Sequence, residues 1–150
     1  MEVVMTFENK NNLISTLLKR EIISINEKKS INDAIQLLSK NKIGALPVIN
    51  NQMKLCGIIS ERDIINVISE NKSINFSLSL IDSIMTAKVI TCDKNTKSNV
   101  LMEIMTTNKI RHIPILENNL LIGIVSIGDV VQRLLQNSNL QNEELKSWLY

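Results

Sequence analysis

The stretch that decides the fold reads Gly-Ile-Ile-Ser-Glu-Arg-Asp over Gly57–Asp63, and it returns as Gly-Ile-Val-Ser-Ile-Gly-Asp over Gly123–Asp129. The repeat extends outward from this stretch, because Leu13–Pro47 aligns without a gap on Leu80–Pro114. Leu55–Asn71 aligns on Leu121–Asn137 with an offset that is one residue shorter, so one turn differs in length between the copies. The chain is therefore predicted to hold two copies of one unit with pseudo-twofold symmetry, whose special residues face a shared groove.

Composition favours a compact aliphatic body over several other classes of protein. The 150 residues are 44% hydrophobic but only 3% aromatic, and the net charge is +2 with acids and bases interleaved. Single-stranded nucleic-acid binding relies on aromatic stacking, and duplex or membrane binding on a basic stripe, so neither partner is predicted. No apolar run reaches the length of a membrane span. One unit alone would bury only about 60% of its surface, so the copies are expected to fold against each other.

The cysteines and the histidine bear on compartment and metal binding. Cys56 and Cys92 stand at non-equivalent places in the two copies, and no Cys-x-x-Cys motif is present. This pattern favours reduced thiols in a cytoplasmic protein over a disulfide or a redox switch. The start of the chain lacks the features of a secretory signal, which also favours the cytoplasm. With one histidine, a histidine-rich metal site is excluded.

Hydrophobic periodicity predicts an α+β fold in which each copy runs β-α-β-β-α after a short first helix. In the first copy the predicted strands are Glu21–Ile25, Ala45–Ile49 and Lys54–Ser60, and in the second they are Val89–Thr91, Ile113–Leu116 and Leu120–Ser126. The predicted division is an N-terminal segment 1–12, unit one 13–71, a linker 72–79, unit two 80–137, and a C-terminal helical tail 138–150 that carries Trp148.

The strongest candidate site is Gly-x-x-Ser-x-x-Asp at a strand-to-helix junction, present once per copy. A serine hydroxyl and free amides at a helix start suit an anion. The carboxylates of Asp63 and Asp129 can each accept two hydrogen bonds from a vicinal diol such as that of ribose. The same spacing, with Ser60 and Ser126, also fits a capping box that only closes the helix end. Ligand and cap remain alternatives at this point.

A second candidate is the pair Arg111–His112 before Ile113-Pro114. A guanidinium beside an imidazole suits a phosphate, although these could equally be polar surface residues at a strand start. The matching positions in the first copy are Gly44 and Ala45, so two sites would not be equal. Arg62 adds a cation to the first copy. No nucleophile, base and acid can be assembled, so an enzyme is not expected.

With these residues in view, the chain resembles a tandem CBS-domain protein, also called a Bateman module, of the small stand-alone type. The resemblance covers about Leu13 to Asn137. It is carried by Lys42–Val48 with Gly57–Asp63, by Ile110–Ile115 with Gly123–Asp129, and by Ser83-Ile-Met-Thr before the second copy.

The resemblance implies a CBS-domain pair with two clefts related by pseudo-twofold symmetry, which binds adenosine-containing ligands such as AMP, ADP, ATP, NAD(H) or S-adenosylmethionine. It implies no required cofactor and a flat homodimer. In such proteins the aspartate holds the ribose, the serine contacts phosphate and the strand before the hairpin frames the base. Carried over, these roles fall to Asp63 and Asp129, to Ser60 and Ser126, and to Ala45, Leu46, His112 and Ile113.

Two functions follow from these expectations. The first is a regulatory adenine-nucleotide sensor without catalysis, whose ligand biases the packing of its units for a protein partner to recognise. The alternative is an interaction module that regulates a partner such as a redox protein, with its clefts empty or incidental. A serine–aspartate pair in both copies favours the first.

Overall fold

A computed structural model describes residues 12–70 and 73–137 of the chain. The α+β architecture expected from the sequence is present, with two successive units of related order. The first unit contains α1 (Leu13–Leu17), β1 (Ile25–Asn26), α2 (Ile31–Asn41), β2 (Ala45–Ile49), β3 (Leu55–Ser60) and α3 (Glu61–Ser69). The second contains a 3₁₀ turn (Ile81–Ser83), α4 (Ser98–Asn108), β4 (His112–Glu117), β5 (Leu120–Ser126) and α5 (Ile127–Asn137).

An antiparallel hairpin forms the centre of each unit. In the first unit β2 pairs with β3, Ala45 opposite Ser60, and β1 adds a short parallel strand at the far end of β2. In the second unit β4 pairs with β5, with His112 opposite Ser126. This register places the first residue of each hairpin beside the serine that precedes the last helix. The hairpins therefore position the motif residues at one end of each sheet.

Each unit completes the hydrophobic core of the other. We call Leu13–Leu18 the first arm and Ile81–Met85 the second arm. The first arm packs into the core of the second unit, around Leu101, Met105 and Val125. The second arm packs into the core of the first unit, among Leu46 and Ile59. The arms occupy equivalent positions in the repeat, so their exchange has the pseudo-twofold symmetry that the repeat predicts.

Two of the predicted strands differ from the structure. Glu21–Ile25 was expected to be a strand, but β1 comprises only Ile25–Asn26. Val89–Thr91 forms no ladder, and only Cys92 makes an isolated parallel bridge to Ile115. The reason is that both β-branched runs follow an arm and lie outside the sheet, where they line surface clefts. Their apolar, β-branched composition is thus explained by the cleft walls.

Within the described ranges 12–70 and 73–137, no helix is long and apolar enough to cross a membrane. The predicted C-terminal helix and Trp148 lie outside the described residues, as do most of the N-terminal segment and the first residue of the predicted linker. The rest of that linker contacts the start of α2, where Ser79 O accepts from Ile31 N at 2.9 Å.

Gly57 is required by the second arm. A Cβ on Gly57 would lie 2.5 Å from Met85 Sδ and 2.9 Å from the carbonyl oxygen of Thr86. Thr86 is fixed there because its N–H donates to Ile58 O at 2.9 Å and its carbonyl accepts from Ile58 N at 3.0 Å. At the equivalent Gly123 a Cβ would meet only the side chains of Ile115 and Leu18, at 3.2 Å and 3.3 Å.

We therefore expect Gly57→Ala to reduce the free energy of unfolding by about 1–3 kcal/mol, the usual range for overpacking against fixed atoms. Urea denaturation followed by circular dichroism measures the loss. Gly123→Ala is the matched control and should lose less, because flexible side-chain ends can move aside. Equal losses at the two positions would contradict a special role of the second arm.

Candidate ligand clefts

Two clefts lie between the units, and each combines residues of both repeats. Cleft 1, with a volume of about 420 Å³, brings Ser60 and Asp63 together with Arg111 and His112. Cleft 2, of about 380 Å³, contains Ser126 and Asp129 of the second repeat and residues Lys42–Ala45 of the first. The serine–aspartate turn of one repeat thus faces the hairpin start of the other.

The clefts share a wall formed by Gly44, Ala45 and His112, which line both. The wall is tight, because a Cβ on Gly44 would lie 3.3 Å from His112 Cε1 and 3.5 Å from Glu61 Oε2. Gly44 also accepts a backbone hydrogen bond from Glu61 N at 3.0 Å, which attaches the start of α3 to the hairpin. A substitution at this wall therefore alters the lining of both clefts.

Both serine–aspartate pairs form capping boxes. Ser60 Oγ accepts from Asp63 N at 3.3 Å, and Asp63 Oδ2 accepts from Ser60 N at 2.7 Å and from Ser60 Oγ at 2.9 Å. Ser126 and Asp129 repeat the arrangement at 3.2, 2.9 and 2.8 Å. The pair therefore closes the helix start, the structural alternative raised by the sequence, and it does so inside a cleft. Cap and ligand contact are compatible, because the box uses only one oxygen of each carboxylate.

The second oxygen distinguishes the two clefts. Among residues 12–70 and 73–137, none donates to Asp63 Oδ1, so this atom can accept from a ligand in cleft 1. In cleft 2, Arg20 Nη1 donates to Asp129 Oδ1 at 2.9 Å. The same carboxylate is thus open in one cleft and engaged in the other.

Charge distinguishes them further. Four cationic side chains line cleft 1: Arg62, Lys88, Lys109 and Arg111. At the equivalent positions cleft 2 has Gly128, Glu21, Lys42 and Gly44, so three of the four positions lack a cation and one is acidic. Cleft 1 also contains Glu61 and Asp63, so its cations exceed its acids by two, and it is suited to an anion. In cleft 2, Arg20 and Lys42 balance Glu21 and Asp129.

Comparison with known proteins accounts for this doubled architecture. The sequence model of the CBS domain matches the chain twice, over residues 14–70 and 81–136. The chain belongs to the CBS-domain family.

Relatives support this assignment over most of the chain. The chain is 36% identical over 125 residues to the mitochondrial CBS domain-containing protein CBSX3 of Arabidopsis thaliana, and it spans 60% of that protein's length. A CBS-domain protein from Agrobacterium tumefaciens superimposes with a TM-score of 0.74 at 34% identity, covering 81% of this chain and 95% of that one. A CBS domain pair solved in complex with 5′-methylthioadenosine and S-adenosyl-L-methionine gives 0.73 at 28% identity, covering 85% and 98%.

Most of the site residues predicted from the CBS motifs lie in the clefts. Cleft 1 contains Ala45, Ser60, Arg62, Asp63, Arg111 and His112, and cleft 2 contains Ala45, His112, Ser126 and Asp129. The side chains of Leu46 and Ile113 instead lie in the two cores, both fully buried, and line neither cleft. Successive strand residues face opposite sides of a sheet, so the residue after each cleft-facing position points into the core.

Sequence reasoning missed several cleft residues. Lys88 and Lys109 were not singled out, and neither were Arg20 and Glu61, which also lie at the clefts. The signal that could have found Lys88 and Arg20 was their place within three residues of the end of each arm in the aligned repeats. Lys109 has a further mark, since it ends α4 in the left-handed conformation at φ 53°, as Lys42 does at the end of α2.

The pKa values of both cysteine thiols are raised. Burial raises the pKa of Cys92 to about 12, with Asp93 adding to the effect. The pKa of Cys56 is also raised, by burial first and then by a hydrogen bond and charge of Glu27. Both are free cysteines. Thiolates are the reactive form, so both residues are expected to be unreactive at neutral pH.

The charge of His112 depends on both clefts. Its pKa is lowered from 6.5, first by burial and then by the neighbouring Arg111, while Glu61 and Asp129 act in the opposite sense. Burial disfavours the imidazolium, and a nearby cation does the same. The imidazole is therefore neutral at pH 7 in the unliganded protein, where it can offer one donor and one acceptor.

We expect the pKa of His112 in the free protein to lie below about 6.5, the value of an exposed imidazole. His112 is the only histidine of the chain, so its ring Cε1–H signal can be followed by NMR without assignment. Arg111→Ala should raise this pKa by removing a repelling charge, and Glu61→Gln should lower it further. A wild-type value at or above that of an exposed imidazole would show that the clefts stabilise the cation instead.

Proposed function

We propose that this protein is a regulatory sensor of adenine nucleotides, with cleft 1 as its stronger binding site. The observation that carries the proposal is the open Asp63 Oδ1 in a cleft that is also lined by four cations. Nucleotides present a ribose diol and phosphate within one molecule, and cleft 1 offers an acceptor and a cationic region in the same cavity. The ligand classes proposed are AMP, ADP, ATP and NAD(H).

Each contact has a proposed residue. Asp63 accepts from the ribose hydroxyls, and Arg111 donates to phosphate, assisted by Arg62. The base lies against aliphatic groups such as Ile58 and Val89, which line the same cleft. Ser60 Oγ donates to Asp63 in the capping box, so in the unliganded protein it orients the carboxylate. This differs from the phosphate contact that family resemblance implies for Ser60.

Ligand chemistry in a related protein supports the ribonucleoside part of the proposal. The CBS domain pair at 28% identity was solved with 5′-methylthioadenosine and S-adenosyl-L-methionine, and both are adenosine derivatives. That support concerns the adenosine moiety alone. The preference for phosphate in cleft 1 rests on the charges of this chain.

The regulatory part of the proposal follows from the construction of the clefts. A ligand in cleft 1 contacts both repeats at once, so it favours whichever packing of the units holds its contacts best. A protein partner would recognise that packing, and no catalytic step is proposed.

We also propose a cytoplasmic homodimer. Its interface would include Ile65 and Ile68, which are 61% and 57% exposed one turn apart on α3.

The proposal predicts binding that requires Asp63. Isothermal titration of the protein with AMP, ADP, ATP and NADH should show binding of at least one, and Asp63→Ala should weaken it about tenfold to a hundredfold. This is the effect of losing one hydrogen bond of about 1.5–3 kcal/mol to a charged group. Absence of binding for all four ligands near millimolar concentration would exclude the sensor function and favour an interaction module.

Asp33 provides the matched control for this experiment. Asp33 forms the same capping box with Ser30, at 3.0 Å from Ser30 N, but it lies outside both clefts. Asp33→Ala and Asp63→Ala should each cost about 1 kcal/mol of stability as lost caps. Only Asp63→Ala should weaken nucleotide binding. If Asp33→Ala weakens it equally, the effect at Asp63 is one of stability.

Arg111→Ala should weaken AMP about tenfold and leave adenosine nearly unchanged, because adenosine offers no phosphate. AMP should also bind more tightly as pH falls, since a phosphate near His112 raises the pKa of the imidazole. The gain develops as pH falls from the pKa of liganded His112, which the phosphate raises, to the pKa of free His112, which burial lowers, and protonation of the phosphate near about pH 6 partly opposes it. Equal losses for AMP and adenosine would show that Arg111 does not contact phosphate.

A further inference from the structure

The two carboxylates that face the clefts have different partners. Asp129 Oδ2 is taken by the capping box, at 2.9 Å from Ser126 N, and Asp129 Oδ1 by Arg20 at 2.9 Å. Asp63 Oδ2 is taken in the same way, but Oδ1 has no donor within the described parts of the chain. Cleft 2 therefore holds the same serine–aspartate turn as cleft 1, but the second oxygen of its carboxylate is engaged by a side chain of the protein itself.

The repeat supplies an internal control for this contact. Arg20 follows the first arm, and the equivalent residue after the second arm is Ala87. The alanine side chain has no donor to offer to Asp63. The alignment of the two repeats thus identifies Arg20 as the residue whose counterpart in the second copy cannot engage the equivalent aspartate.

The burial of the two partners shows that the contact can open. The Arg20 side chain is 61% exposed, and that of Asp129 is 12% exposed. Arg20 can therefore swing into solvent without disturbing the core, while Asp129 stays in place through its capping box. An exposed ion pair of this kind is weak and is screened by salt. A ligand that offers Asp129 a hydrogen bond can therefore displace Arg20 at a small cost in free energy.

We propose that Arg20 acts as a latch in cleft 2, which a ribonucleoside must displace from Asp129 before it can bind there. The ligand class is an adenosine compound in which phosphate is not needed. At the positions of Arg62, Lys88 and Arg111, cleft 2 has Gly128, Glu21 and Gly44. The latch makes cleft 2 respond at higher ligand concentration than cleft 1. This inference rests on the proposed function, since it assigns the aspartates to ribose.

The test exchanges the residues of the two repeats. Cleft 1 is first weakened with Asp63→Ala, and adenosine is titrated calorimetrically into that protein with and without Arg20→Ala. Arg20→Ala gives cleft 2 the residue that cleft 1 has, and it should raise the affinity for adenosine about twofold to fivefold, the equivalent of one exposed ion pair. The amide signal of Gly123, which lines cleft 2, should report the binding by NMR.

The reciprocal change and the salt dependence provide independent readouts. In a protein with wild-type Asp63, Ala87→Arg should weaken binding of adenosine to cleft 1 by a similar factor. Adenosine carries no charge, so high salt should increase its affinity for cleft 2 only while Arg20 is present. Thermal unfolding of each variant confirms that it folds.

The outcomes separate the latch from the proposed function. If cleft 1 binds nucleotides through Asp63 but Arg20→Ala leaves adenosine binding to cleft 2 unchanged or weaker, the latch is wrong and the sensor function stands. If neither cleft binds adenosine compounds in any variant, the proposed function fails and the latch with it. Tighter binding in Arg20→Ala together with weaker binding in Ala87→Arg supports the latch.

Discussion

The exchange of arms between the two units is the constraint on which the rest of the structure depends. Leu13, Ile14 and Leu17 lie in the core of the second unit, and Ile81 lies in that of the first. Small units bury too little surface to be stable alone. Because the arms are exchanged, neither core is complete without residues of the other unit. Because each arm must cross to the opposite unit, the chain that follows it returns through the space between the units. That return path forms one wall of each cleft.

The capping boxes connect this architecture to binding. A helix start needs acceptors for its free amides, and a ribose needs an acceptor for its hydroxyls. One aspartate can meet both needs, since a carboxylate has two oxygens and the box uses one. Asp33 shows the box outside the two clefts, Asp63 shows it in cleft 1 with an open oxygen, and Asp129 shows it in cleft 2 with that oxygen engaged. Similar local sequence thus has three different surroundings, and tertiary placement decides its chemistry.

Much of the fold could be predicted from the sequence because its signals are local and doubled. The hairpin, the capped helices and the α+β order follow from periodicity and from the repeat. The composition of each cleft could not be read in this way. Arg111 faces Ser60 only because the units are opposed, and Arg20 reaches Asp129 from a distant part of the chain. The β-branched run Val89–Thr91 has the composition of a strand but forms none, since apolar cleft walls and buried strands favour the same residues.

The pseudo-twofold exchange also bears on how such a chain can diversify. Two separate copies of a single unit could swap arms in the same way, but symmetry would then make the two clefts identical. Every substitution would appear in both, so no cation could be gained by one cleft and withheld from the other. Joining the units in one chain removes that restriction without changing the packing. Arg111 opposite Gly44, and Arg20 opposite Ala87, are differences that a pair of identical chains could not hold.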